Sequence, residues 1–208
     1  MKVIFINGPP RSGKDAAGNA LATILKGETF KFAHALKCGT HALFAAMRGI
    51  RLDMTSIEDF ASDATNDAAF EAVKDKSSPE FFGLSPREAY IAVSETLLKP
   101  TFGDKFFGAV LMRRLAQDQP GVAIITDSGF VGEAQVIIDA VGADNCKLLR
   151  MHRDGCDFSN DSRGYIDLPG VDCHDVDNNG NLALLGLTLS RLNLWSEKHC
   201  TDDETRPS

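Results

Sequence analysis

Short, continuous apolar runs alternate along this chain with longer segments whose apolar residues recur at helical spacing. The runs KVIFI, GVAIITD and CKLLRMHR are typical of strands buried on both faces of a parallel sheet. The segment ETFKFAHAL indicates a shorter strand that passes directly into a helix. This alternation predicts an α/β fold with a three-layer, doubly wound parallel sheet.

Helices are expected between these strands. DAAGNALATIL should end at Lys26-Gly27, and DKFFGAVLMRRLAQ and GEAQVIIDAVG show the same helical spacing. SPREAYIAVSETLL begins with a capping serine, Ser85, followed by proline and then by Glu88 three residues after the cap. These signals predict a helix over that segment, and a C-terminal helix in NLALLGLTLSRLNLWSEK.

Two segments depart from the alternation. Residues 51–80 are polar and turn-rich, and we predict a peripheral helical insert there. Residues 154–181 are rich in Asp, Ser and Gly and are predicted to form a loop. We expect one domain over residues 1–200 and a disordered tail over residues 201–208.

Composition narrows the range of partners. The formal net charge is −7, from 29 acidic residues against 22 Lys and Arg, which disfavours binding of a nucleic-acid polymer through a broad basic face. Five cysteines without a CxxC pair suggest reduced thiols and a cytoplasmic location. The apolar start is too short for a signal peptide or a membrane span, so no membrane partner is expected.

The octapeptide GPPRSGKD follows the first apolar run and precedes a helix. Its Gly8, Gly13 and Lys14 match the G-x-x-x-x-G-K pattern, in which glycines let backbone N–H groups surround a phosphate and the lysine reaches the terminal phosphates. The sequence therefore predicts a phosphate-binding loop for ATP, with the contacts Gly8, Arg11, Ser12, Gly13, Lys14 and Asp15.

Asp15 stands where this pattern usually has Ser or Thr next to magnesium. Its carboxylate could simply favour the N-terminus of the helix, or it could hold Mg²⁺ directly or through water. Both interpretations stay open at this point.

The loop NGPPRSGKD resembles the opening of the bacteriophage deoxynucleoside monophosphate kinases, whose loop reads R-S-G-K-D. Animal phosphomevalonate kinases carry a similar K-S-G-K-D loop. Four further blocks follow in the order found in the phage kinases: FKFAHALK (30–37), SPREAY (85–90), IITDSGFVGEA (124–134) and HDVDNNGNLALL (174–185). One departure is clear, because Gly129 stands where the family's T-D-x-R-F segment has arginine.

The resemblance implies a P-loop nucleoside monophosphate kinase-like fold, with a helical acceptor-binding region at about residues 38–105 and a lid-like loop at about 153–181. It also implies the reaction ATP + dNMP → ADP + dNDP with Mg²⁺. The family often forms dimers, so the resemblance is compatible with a homodimer, while the sequence leaves the oligomeric state open. The location would be the host cytoplasm for a phage protein.

Phosphoryl transfer needs cations around both phosphate chains. The resemblance implies that Arg87 binds the acceptor phosphate. It also implies that Arg153 and Arg163 lie in the lid and act in catalysis, together with Lys14 and Asp15. The remaining expected acceptor-side contacts are Lys37, Phe32, Tyr90 and Asp127, with Asp127 and Asp15 near magnesium. Each has an ordinary alternative: a surface arginine, a snorkelling lysine, a core aromatic or a helix-capping aspartate.

Two other functions compete with this one. A phosphomevalonate-type kinase would use the same loop with an acceptor that lacks a base. A nucleotide-binding switch would bind ATP without phosphorylating a metabolite.

Overall fold

A computed structural model describes residues 1–51, 73–159, 161 and 163–195. Within these ranges, five parallel strands form one sheet in the order β2-β3-β1-β4-β5, which confirms the predicted α/β fold with a parallel sheet. The strands are β1 (Lys2–Asn7), β2 (Glu28–Phe30), β3 (Val122–Ile125), β4 (Cys146–His152) and β5 (Asp172–Asp177).

Helices connect the strands and cover both faces of the sheet. The α-helices are α1 (Lys14–Leu25), α2 (Ala33–Met47), α3 (Pro86–Ile91), α4 (Lys99–Phe102), α5 (Phe106–Asp118), α6 (Val131–Val141) and α7 (Leu182–Arg191). Short 3₁₀ turns lie at Pro79–Phe81 and Ala143–Asn145, and Ala92–Leu98 is π-helical. Among the described helices, none is both long and apolar enough to cross a membrane.

The core has two halves because side chains of a buried strand alternate between the faces of the sheet. On β1, Val3 and Phe5 pack with α5 and α6, whereas Ile4 and Ile6 pack with α1 and α7. All four side chains are fully buried. The continuous apolar run of β1 thus reflects a central strand sandwiched between two helical layers.

Two sequence predictions need correction. The predicted loop over residues 154–181 contains β5, an edge strand paired with β4. Its sequence DCHDVD lacks an apolar run because one edge faces solvent, and the ion pair from Lys147 of β4 to Asp172 supports the pairing instead. The C-terminal helix ends at Arg191, earlier than predicted. Most of the predicted insert, residues 52–72, and the tail lie outside the described residues.

The segment after Ser85 is not a single α-helix. The predicted capping box is present, since the Ser85 hydroxyl accepts from the Glu88 N–H at 3.2 Å and the Glu88 carboxylate accepts from the Ser85 N–H at 2.8 Å. Beyond α3 the backbone widens into the π-helical turn Ala92–Leu98. Pro100 follows and has no N–H for an α-helical bond to the carbonyl of residue 96, which removes one α-helical constraint there.

Candidate functional site

The site lies at the carboxyl edge of the sheet. β1 is central, with β3 on one side and β4 on the other, so the chain connections diverge at the end of β1. In open α/β sheets this divergence leaves a crevice in which ligands bind. Three segments meet there: the loop Gly8–Gly13, the residues after β3, and the residues after β4.

The loop between β1 and α1, which carries the predicted phosphate-binding pattern, passes so close to its neighbours that its two glycines have no room for a side chain. Gly13 adopts φ +94°, a left-handed conformation that favours glycine, and a β-carbon there would collide with the side-chain amide of Asn178. A β-carbon on Gly8 would lie 2.8 Å from the Met151 carbonyl oxygen. The two glycines therefore let the loop pass close to β4 and to the residues after β5.

Lys14 lies at the start of α1 and folds back over the loop. Its ammonium donates to the Gly8 and Pro9 carbonyl oxygens at 2.8 and 2.7 Å. Burial, followed by the nearby Arg163, lowers the pKa of Lys14 to about 8. Burial removes part of the hydration that stabilises the charged ammonium. An anion that binds beside Lys14 would therefore stabilise the charged form of this lysine.

Asp15 uses only one of its two carboxylate oxygens. Oδ1 accepts from the Thr126 hydroxyl at 2.8 Å and pairs with the Lys31 ammonium at 2.9 Å. Within the described residues no group bonds to Oδ2, and the side chain is 59% exposed. A half-free carboxylate beside a phosphate-binding loop fits Mg²⁺, which takes one or two protein oxygens and completes its shell with phosphate and water.

Asn7 ties the three segments of the site together. This side chain, at the end of β1, is only 1% exposed. Its amide group donates to the Ser128 carbonyl oxygen at 2.9 Å and to the Gly164 carbonyl oxygen at 3.1 Å, while its carbonyl oxygen accepts from the Ile166 N–H at 3.2 Å. Asn7 thus fixes the loop after β3 and the connection after β4 to the central strand.

Arg163 lies directly beside the Asn7 clamp, by which we mean the hydrogen bonds from Asn7 to Ser128, Gly164 and Ile166. Its guanidinium forms a two-pronged ion pair with Asp161, at 2.8 and 2.5 Å, and this pair raises the pKa of Arg163. The aliphatic stem of Arg163 crosses the backbone of Gly129, where a β-carbon would collide with its Cδ and lie 2.9 Å from its Cγ. The space that the missing side chain at position 129 leaves is therefore occupied by Arg163.

Two adjoining cavities open beside Arg163. The larger has a volume of about 440 Å³ and the smaller about 100 Å³. Their shared lining residues are Leu36, Ser94, Glu95, Phe130 and Arg163, so the cavities are parts of one continuous space. This space lies under the helical segment α3–α4, within the region predicted to bind the acceptor.

The structure brings some predicted residues into this space and leaves others outside it. Arg87 and Tyr90 line the larger cavity, and Phe32 and Asp127 line the smaller. Arg11 and Arg153 are exposed, and neither they nor Lys37 line these cavities. The sequence analysis did not single out seven of the lining residues: Leu36, Ser94, Glu95, Lys99, Phe107, Phe130 and Glu133.

Asp127 caps a helix in this structure. Its two carboxylate oxygens accept from the Phe32 and Ala33 N–H groups at 2.8 and 2.9 Å, at the start of α2. The capping alternative is therefore observed, on α2 rather than on the helix that follows β3. Its proposed role near magnesium stays a prediction.

Ionisable groups of both signs lie around the smaller cavity. Glu133 is 4% exposed, and burial together with the nearby Asp127 raises its pKa to about 8, so the carboxyl carries a proton at neutral pH. Lys99 pairs with Glu95 at 2.7 Å and lies 4.1 Å from the ring centre of Phe130. Hydrogen bonds from Lys99 and Ser94 lower the pKa of Glu95, which is therefore ionised.

The clamp generates a stability prediction. Asn7→Ala should leave the Ser128 and Gly164 carbonyls and the Ile166 N–H without partners, and should lower the free energy of unfolding by roughly 2–4 kcal/mol. Denaturant unfolding measures the loss, and amide hydrogen exchange should show faster opening at Ile166. Asn19→Ala, on the exposed face of α1, is the control. Equal stability of the two variants would contradict the clamp.

Comparison with known proteins leaves the family open. No protein family profile and no curated protein matches the sequence. Among solved structures, an unliganded sugar kinase from Janibacter sp. HTCC2649 is similar over 90% of this chain and 91% of its own, with 11% sequence identity and a TM-score of 0.44. So distant a likeness carries no argument about activity, and any function must rest on the residues of the site.

Proposed function

We propose that this chain is an ATP-dependent nucleoside monophosphate kinase that acts on deoxynucleotides. The observation that carries the proposal is the position of Arg163 between two binding features: its charge lowers the pKa of Lys14 in the phosphate-binding loop, and its side chain lines the cavity of about 440 Å³. A donor site and an acceptor-sized space therefore share one cation. A kinase that joins two phosphate chains needs this arrangement.

The reaction follows from the charges at the site. An oxygen of the acceptor phosphate attacks the γ-phosphorus of ATP, and the bond from that phosphorus to the β–γ bridging oxygen breaks, so ADP leaves with the electron pair. The attacking oxygen is already ionised, so no general base is required. The protein's task is to align the two phosphate chains and to stabilise the charge of the transition state.

Named residues share that task. Lys14 would move from the Gly8 and Pro9 carbonyls to the donor phosphates, and Arg87 would hold the acceptor phosphate at the other end of the larger cavity. Arg163 would lie between them and stabilise the group in transfer. Its pairing with Asp161 fixes the plane of the guanidinium in advance, which reduces the ordering needed during the reaction.

Magnesium fits beside the loop at Asp15, whose Oδ2 has no bonding partner in the described part of the chain. When bound, Mg²⁺ neutralises charge on the donor phosphates. Lys31 and Thr126 would orient the Asp15 carboxylate through its other oxygen.

The lining of the acceptor space supports a nucleotide over a phosphomevalonate-type acceptor. A small anionic acceptor without a base would need mainly cations. Here Tyr90 and Phe130 supply aromatic surface, and the ionised Glu95 carboxylate would disfavour a second anion. Aromatic surface with a few polar groups is what a base needs.

The first experiment measures ADP formation from ATP–Mg²⁺ with a panel of dNMPs, NMPs and phosphomevalonate. Turnover is expected with at least one dNMP, and Lys14→Ala should reduce kcat by roughly 100-fold or more, because a charge that stabilises the transition state is lost. Lys76→Ala, on an exposed lysine, is the matched control. Tight ATP binding without turnover on any acceptor would contradict the proposed kinase activity and favour a nucleotide-binding switch.

ATP binding should depend on the charge of Lys14. Because the pKa of Lys14 is about 8 in the free protein, binding above that pH must take up a proton. The Kd for ATP should therefore rise between pH 7 and pH 9.5, approaching about tenfold per pH unit above pH 8. Calorimetry in buffers of different ionisation enthalpy measures both the Kd for ATP and the number of protons taken up on binding. A flat profile in wild type, matching that of Lys14→Met, would contradict this assignment.

Gly129 should matter because it leaves room for Arg163. Its φ is not positive, so alanine is compatible with the backbone, but the new methyl group must displace the stem of Arg163. Gly129→Ala should lower kcat by about 10- to 100-fold with little change in stability. The nearby Gly132→Ala, whose β-carbon meets only ordinary contacts from 3.8 Å outward, is the control.

The same substitution should have no further effect once Arg163 is removed. In an Arg163→Ala background, Gly129→Ala should leave kcat unchanged, since the two changes act through one guanidinium. Additive losses in the double variant would show that Gly129 acts independently of Arg163.

A further inference from the structure

The acceptor space has two chemically different ends. Arg87 lines one part, together with Tyr90 and Ile91, whereas Lys99, Glu133 and Phe107 line the other. The axial rise between Arg87 and Glu95 along the α3–π segment is about 12 Å, comparable to the length of an extended nucleotide. Arg87 and Arg163 both line the larger cavity, so an acceptor phosphate would pair with them there. The base would then extend toward the smaller cavity, where Lys99 lies beside Glu95, which lines both cavities.

The π-helical turn carries Glu95, and Lys99 follows it directly. Ser94 and Glu95 both lie in Ala92–Leu98, and both line the two cavities. Such turns are uncommon and often mark functional sites. Glu95 and Lys99 are four residues apart, and their side chains form an ion pair at 2.7 Å.

The Glu95 carboxylate is only half used. Its Oε1 accepts from the Ser94 hydroxyl at 2.8 Å and from the Lys99 ammonium at 2.7 Å. Within the described residues nothing bonds to Oε2. Lys99 has three N–H donors, one of which serves Glu95. The pair thus offers one free anionic acceptor next to a cationic donor.

Few base edges match such a pair. Guanine presents a carbonyl oxygen followed by two N–H donors, at N1 and at the 2-amino group. Thymine has one ring N–H between two carbonyl oxygens, so its second oxygen would face the carboxylate. Adenine and cytosine place an unprotonated ring nitrogen next to an amino group, which sets a lone pair against the carboxylate.

We propose that Glu95 and Lys99 form the base-reading subsite of the acceptor space and select guanine. This inference rests on the proposed kinase function and adds the identity of the preferred acceptor. In it, Oε2 of Glu95 accepts from guanine N1–H and the 2-amino group, and Lys99 donates to the guanine carbonyl oxygen. Ser94 is a positioning residue, since it holds the carboxylate through Oε1.

The test compares kcat/KM for dGMP, dTMP, dAMP, dCMP and dIMP, the last of which lacks only the 2-amino group of dGMP. We expect dGMP to exceed dAMP and dCMP by at least about tenfold, and to exceed dIMP by about tenfold. Glu95→Gln should abolish the difference in kcat/KM between dGMP and dIMP. Lys99→Met should lower kcat/KM for dGMP and for dIMP by similar factors. Glu28→Gln, an exposed glutamate on β2, should leave the ranking unchanged.

Calorimetric binding of the same monophosphates to the unmodified protein separates the two proposals. Turnover on dNMPs with dAMP or dCMP preferred, or a ranking unchanged by Glu95→Gln, would overturn the guanine subsite and leave the kinase standing. Selective binding of dGMP that depends on Glu95, without any turnover, would support the subsite and overturn the kinase. If neither variant folds, a wild-type preference for dAMP or dCMP still refutes the subsite.

Discussion

The candidate site depends on one buried amide. Asn7 stands at the end of the central strand and bonds to the backbone of both flanking connections. A buried side chain that satisfies two carbonyls and one N–H holds those segments more firmly than apolar contacts could, because breaking any bond leaves a polar group without water. The predicted phosphate-binding loop begins one residue later, so the same amide fixes this loop relative to the connections after β3 and β4.

Much of this architecture was predictable from the sequence. The apolar runs of β1, β3 and β4 are continuous because those strands are covered on both faces, and the capping box at Ser85 is a local signal that the structure reproduces. The G-x-x-x-x-G-K pattern of Gly8, Gly13 and Lys14 was equally visible, and it lies between β1 and α1 as expected. Its binding of phosphate stays a prediction. These features depend on short stretches of chain.

What escaped prediction depends on contacts between distant segments. β5 is a polar edge strand with one buried side chain, Val176, so its own sequence resembles a loop although the strand pairs with β4. Glu95, Lys99 and Phe130 are ordinary residues until the π-helical turn and the loop after β3 bring them to one cavity. Arg163 was expected in a lid, but its proximity to Gly129 follows from the Asn7 bonds to Gly164 and Ile166. No local pattern encodes that approach.

The contact between Asn178 and the phosphate-binding loop has a consequence for the order in which the chain is made. Asn178 donates to the Ser12 carbonyl oxygen at 2.8 Å and faces Gly13, yet more than 160 residues separate them in the sequence. The loop is synthesised well before Asn178, and β1 must wait for β3 and β4 before it has neighbours in the sheet. The hydrogen bond from Asn178 to Ser12 can form only after β5 has been synthesised. The loop between β1 and α1 therefore takes its final place only when a segment made much later, the one that follows β5, packs against it.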